Sequence, residues 1–189
     1  MPVLRIYNPV EDSLRVEPVT VDRNRMILFS TPNKGASQVV AAFGAVRNAL
    51  PSMQLDIAGS TEAVLEQYVP GVARMAGIRI LGRLPRDEVL AYVRTSLCVF
   101  YPQYEHPETF GLVFAEANAV GTPVIAHDFG AAREVLGDPE QLVDARDHEA
   151  VVARVARWRE GGRPRVHGRD AFRASTVIGE WRHLLESPV

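Results

Sequence analysis

Two carboxylates eight residues apart, Glu108 and Glu116, are the residues whose types and spacing point most directly to chemistry. The stretch Phe110 to Val120 reads as a helix stopped by Gly121, so Glu108 stands just before it and Glu116 about two turns into it. Eight residues of helix rise about 12 Å, too far for one paired acid and base but suited to the two ends of an extended ligand. Glu116 lies in the apolar run Leu112, Val113, Phe114, Ala115 and Ala117, where a carboxylate is expensive without hydrogen-bond donors. The vicinal hydroxyls of a ribose are such donors; an exposed helix face or a core ion pair are the alternatives. Thr109 suits the N-cap, and Gly111 falls in the first helical turn, where glycine costs about 1 kcal/mol against alanine. That cost makes sense where a ligand must approach the backbone N–H groups, since a helix start at a strand's carboxyl end is an anion site. Plain helix–sheet packing is the other reading. Lys34 opens an earlier helix, Lys34 to Leu50, and faces the positive end of its dipole; a bound phosphate repairs that conflict, and so does a side chain that points away.

The remaining candidates are weaker. Phe129 to Glu134 follows a strand and places small residues near the same rim, or is a simple turn into a short helix. His106 and His127 read as polar loop residues. Cys98, the single cysteine, sits in the apolar run Leu97 to Phe100 and reads as a core thiol; no internal disulfide is possible. The sequence has no metal-ligand constellation, no dinucleotide-binding glycine fingerprint, no phosphate-binding Walker loop and no nucleophile elbow.

The elements that must position these residues alternate between short apolar runs and amphipathic stretches. Strands are predicted at Met26 to Phe29, Met53 to Gly59, Ile78 to Gly82, Leu97 to Tyr101, Pro123 to Ala126 and Leu142 to Val143. Helices are predicted between them, weakest over Glu62 to Ala76, with closing helices at His148 to Trp158 and Phe172 to Leu185; the basic stretch Arg163 to Arg173 reads as solvated. Strand–helix alternation with short links predicts an α/β fold: a Rossmann-like, doubly wound parallel sheet in three α/β/α layers. Ligands then sit beyond the strands' carboxyl ends, at the switch in strand order. Residues 1–24 read as an entry segment or linker, and 25–189 as one domain. A net charge of -2 excludes binding to nucleic acid by bulk electrostatics. No apolar run approaches the ~20 residues of a transmembrane segment, and with no leader visible a cytoplasmic location is the default expectation.

The run Glu108 to Ala126 resembles the E-x7-E signature of family 4 glycosyltransferases, roughly E-x-F-G-L-x-x-x-E-A-x-A-x-G-x-P-V-I-A. Asn33 to Gly35, Leu55 to Gly59, Leu81 to Leu84, and Gly130 with Glu134 match further family segments in order. The resemblance implies the C-terminal half of a two-domain GT-B enzyme, transferring a hexose with retention from a nucleotide-diphosphate sugar without a metal or other cofactor. It places Glu116 on the ribose, Glu108 on the donor sugar as the catalytic-site glutamate, and Lys34 on the diphosphate. It places the backbone of Thr109, Phe110, Gly111, Leu112 and Val113 against phosphate and sugar, and Gly82, Arg83 and Leu84 beside the base. It also implies an N-terminal domain, or a separate subunit, that supplies the acceptor site; this chain starts at the equivalent of the interdomain linker. One departure stands out: an arginine common before the lysine is replaced by Ser30, Thr31 and Pro32, with Arg133 as the candidate substitute. A non-catalytic module that binds a partner protein and a GT-B sugar epimerase are the competing expectations.

Overall fold

The computed structural model describes residues 5–186; residues 1–4 of the entry segment and 187–189 of the domain lie outside the described residues. Six strands, β1 (Asp22–Phe29), β2 (Gln54–Ala58), β3 (Ile78–Gly82), β4 (Ser96–Tyr101), β5 (Val124–His127) and β6 (Leu142–Val143), form one sheet. Every pairing is parallel, and the order is β3-β2-β1-β4-β5-β6. The most apolar strands take the centre: all of β4 is buried, as are Met26, Ile27 and Leu28 of β1. The chain steps outward from β1 to β3, crosses back to β4, and then steps outward the other way. The helices therefore divide between the faces: α1 (Ala36–Ala49) packs with α6 (His148–Arg157), while α3 (Arg86–Thr95), α4 (Leu112–Ala119) and α5 (Ala132–Leu136) pack together. The predicted doubly wound, three-layer fold is the one observed, with its switch point between β1 and β4.

Several boundaries differ from expectation. β1 starts at Asp22, so it reaches into the segment read as linker. The weak helix after Glu62 is split into α2 (Glu62–Leu65) and a 3-10 turn (Val72–Arg74), because the Glu66 carboxylate accepts from the N–H groups of Gly71 and Ala73 and holds the bend. Arg163 is not solvated: its guanidinium donates to Leu97 O at 2.7 Å and Gly121 O at 3.2 Å.

Residues 5–21 form a strap along the domain, and Val10 makes a parallel bridge to Arg173 just before α7 (Ala174–Glu186). Tyr7 packs on Phe110 and Phe172, and its hydroxyl donates to Glu134 at 2.6 Å; Arg5 reaches the same oxygen at 2.5 Å. The Tyr7 hydrogen bond, with help from the Arg5 charge, holds the Glu134 carboxyl below its usual range. A carboxyl whose pKa is lower when folded stabilises above its unfolded value and loses that contribution as pH falls through the folded one. Acidification below about pH 4 is therefore expected to loosen the strap before the sheet. Hydrogen exchange should show early loss of protection over residues 5–14, and Glu134→Gln should remove the acid dependence of that step.

Candidate functional site

The candidate site lies where β1 and β4 end side by side. α1 starts after Gly35 and α4 after Gly111, each glycine an N-cap with left-handed backbone, and no side chain caps either helix. Part of each first turn is already bonded, Ala36 N–H to Pro32 O at 3.1 Å and Phe114 N–H to Gly111 O at 2.9 Å, and two helix starts without side-chain caps flank the switch point. Two expectations are corrected here. Thr109 is exposed and does not cap α4. Gly111 is not in the first turn but precedes it at φ 84°, and a Cβ there would lie 2.6 Å from the Phe114 ring. Glycine is required by conformation and space, not tolerated at a cost in helix propensity. Lys34 likewise lies outside α1, two residues before Ala36 and ahead of the N-cap Gly35.

Lys34 and Glu108, far apart in sequence, meet across the switch point. The Lys34 ammonium lies 2.9 and 3.1 Å from the two Glu108 oxygens. Glu108 is 10% exposed at its side chain, and the Tyr101 hydroxyl donates to its Oε1 at 2.8 Å. Burial pushes the Tyr101 phenol well above its usual range, so it stays a neutral donor. The ion pair answers the question of how Lys34 is tolerated near a helix start: Glu108 is its nearest anion. Gln103 is buried and shapes the intervening loop, its Oε1 accepting from the N–H of Glu105 and His106 while Nε2 donates to His106 O. Below Glu108 is a void of about 10 Å³, bounded in part by Tyr101, Phe114 and His127, with room for one water at most.

Glu116 is a partly buried ion pair. Its Oε1 accepts from Arg86 at 2.8 Å, and the same guanidinium lies 2.6 Å from Glu11 of the strap. Gly82 ends β3, and Arg83 and Leu84 lead into Arg86, the first residue of α3, whose side chain reaches Glu116; none of Gly82, Arg83 and Leu84 makes a hydrogen bond to the Lys34–Glu108 pair among the described residues. The Phe110 ring faces away from the rim, against Tyr7 and Phe172; Leu112 is exposed and Val113 half-buried, so backbone is what Phe110 offers a ligand.

The post-β5 loop closes the rim. Ala131 N donates to Glu108 O at 3.0 Å. Arg133 is paired with Asp128, so it is not a free replacement for the missing arginine. His127 is held by its Nδ1, which accepts from Ala145 N at 3.1 Å, and His106 is exposed. Burial raises the Cys98 thiol far above its usual range, as a core thiol requires. Tyr101, Gln103, Arg86 and Glu11 were not legible as site residues. The one sequence signal for the first two is polar atoms at the end of an otherwise apolar strand.

The fold is a Rossmann-like half-domain of the GT-B kind. The family described as glycosyl transferases group 1 matches residues 19–171, and the chain belongs to that family. It is 35% identical over 116 residues to the phosphatidyl-myo-inositol mannosyltransferase of Propionibacterium freudenreichii, covering 61% of this chain and 28% of that protein. It is 36% identical over 126 residues to the enzyme of the same name from Mycobacterium leprae, covering 65% and 33%. The chain thus spans about a third of the length of these curated relatives. Among solved structures, the pneumococcal O-GlcNAc transferase in complex with UDP and GlcNAc superimposes with a TM-score of 0.67 at 16% identity, over 96% of this chain and 38% of that one. A glycosyltransferase of avilamycin A biosynthesis superimposes with a TM-score of 0.67 at 18% identity, over 97% and 58%. At these identities the likeness is one of fold. No helix among the described residues is long and apolar enough to cross a membrane.

Proposed function

We propose that this chain is the donor-binding half of a family 4 glycosyltransferase that transfers a hexose, with retention and without a metal, from a nucleotide-diphosphate sugar to an acceptor. The observation that carries the proposal is the meeting of Lys34, Glu108 and the uncapped start of α4 at the switch point, with Glu116 further along the same helix. The diphosphate takes Lys34 and the α4 N–H groups, which draws Lys34 off Glu108. The freed Glu108 accepts from sugar hydroxyls while Tyr101 holds its Oε1 in place. As the bond from the sugar's anomeric carbon to the diphosphate breaks, the charge growing on the leaving group meets an ammonium and a helix terminus already in position. Glu116 accepts from the ribose, and Gly82, Arg83 and Leu84 border the base. Curated relatives include several mannosyltransferases, which favours a mannosyl donor, and a glycogen synthase at 32% identity, which leaves a glucosyl donor as the second arm of the test.

The acceptor site belongs to an N-terminal domain or separate subunit, with residues 1–24 leading into the donor domain at 25–189; a cytoplasmic enzyme, peripheral to a membrane or not, fits this arrangement. The isolated chain is expected to bind nucleotide and turn over poorly. Calorimetry with UDP, GDP, ADP and their sugars, with and without chelator, tests it: one nucleotide should bind regardless of chelator. Glu116→Ala should weaken that binding about tenfold or more, since hydrogen bonds to a charged group contribute about 1.5–3 kcal/mol each. No binding by any nucleotide to the folded chain would overturn the proposal.

A further inference from the structure

The first residue of α3 is an arginine, at a helix end where a cation is disfavoured. Arg86 is held there by two carboxylates from different parts of the fold, Glu116 of α4 at 2.8 Å and Glu11 of the strap at 2.6 Å. Glu116 is 17% exposed at its side chain, and among the described residues it accepts from Arg86 alone, through Oε1. A carboxylate on a mostly apolar helix has several rotamers and two equivalent oxygens. A guanidinium fixed on one oxygen selects a rotamer and leaves Oε2 as the acceptor for an incoming pair of hydroxyls.

We propose that Arg86 is a positioning residue for the ribose subsite: it fixes Glu116 through Oε1, and Glu11 fixes Arg86, so that the strap sets the geometry in which Oε2 meets the vicinal hydroxyls. The proposal rests on the assignment of Glu116 to the ribose. The opposite arrangement is also physically distinct: were Arg86 occupying the place of the ribose, its removal would tighten nucleotide binding.

The test compares, by calorimetry on the full chain, the tightest-binding of UDP, GDP and ADP with its 2′,3′-dideoxy analogue. Wild type should prefer the ribose form by about tenfold. In Arg86→Ala that preference should collapse to within about twofold, with the affinity for the dideoxy analogue unchanged, a pattern that general loosening of the fold does not produce. Arg86→Lys keeps a charge but cannot bridge two carboxylates in a planar fork, and should recover part of the preference; Glu11→Gln should lose part of it. An unchanged preference in Arg86→Ala, or tighter binding of the ribose form, overturns the positioning role. Should Arg86→Ala fail to fold, an unchanged preference in both Arg86→Lys and Glu11→Gln overturns it. A wild type that does not distinguish the two analogues overturns the ribose assignment and this role with it. Loss of the preference in Glu116→Gln but not in Arg86→Ala removes only the role of Arg86.

Discussion

Glu108→Gln is expected to lower sugar transfer by about a hundredfold or more, while the affinity for the bare nucleoside diphosphate stays within about threefold of wild type. The substitution keeps the volume of the side chain and an oxygen for the Tyr101 hydroxyl, removes the charge, and turns the second oxygen from an acceptor into an amide donor. Two consequences diverge. Sugar hydroxyls lose a charged acceptor in a site where the carboxylate is 10% exposed and poorly screened. Lys34, in contrast, loses the charged partner at 2.9 Å, so in the proposed site a diphosphate meets a more available ammonium. Turnover is measured with the chain joined to the domain that supplies the acceptor, and affinities by calorimetry on the chain itself. Transfer within about threefold of wild type would remove Glu108 from the catalytic site. A parallel loss of nucleoside diphosphate affinity would mean that Glu108 acts on binding in general and not on the sugar.

Arg79→Leu is expected to destabilise the domain by about 3 kcal/mol. Asp56 is fully buried in β2, and Arg79 on β3 binds it in a two-pronged pair at 2.8 and 2.7 Å. Arg79 itself is half-exposed and lies over the Tyr92 ring, so the cost does not come from the arginine. It comes from the carboxylate left behind, which among the described residues keeps only Arg25 as a charged partner, at 3.7 Å. That residual partner sets the estimate at the low end of the range for an orphaned buried charge. For a domain of this size the midpoint of thermal unfolding should fall by roughly 6–12 °C. Asp56→Val combined with Arg79→Leu should recover more than half of the loss, because an apolar pair leaves no charge to desolvate. A single-variant loss below about 1 kcal/mol in urea titration would show that Arg25 alone suffices to hold the Asp56 side chain.

Both predictions concern partners that different strands bring together, and such pairings mark the boundary of what a linear chain of residues reveals. Periodicity in burial is written along the chain, and it is local. The unbroken apolar run at Leu97 to Tyr101 could only be an inner strand, and β4 is central and wholly buried. The alternation of elements therefore determined the fold class, and the spacing of Glu108 and Glu116 around a helix start determined that one end of the sheet carries the candidate site. Single letters with two physical meanings were not decided that way. Glycine has both low helix propensity and easy access to left-handed backbone, and Gly111 was legible as the first meaning when the structure uses the second. Glu116 could face hydroxyls, solvent or a cation, and its partner Arg86 lies 30 residues away at the start of another helix. Lys34 meets Glu108 because the strand order sets β1 beside β4 and brings together loops separated by 74 residues. The sequence alone determined the elements and the pole of the sheet where charge gathers. Only the tertiary structure decided which charges face each other, because that follows from which strands are neighbours, and adjacency is a property of the assembled sheet and not of any segment in it.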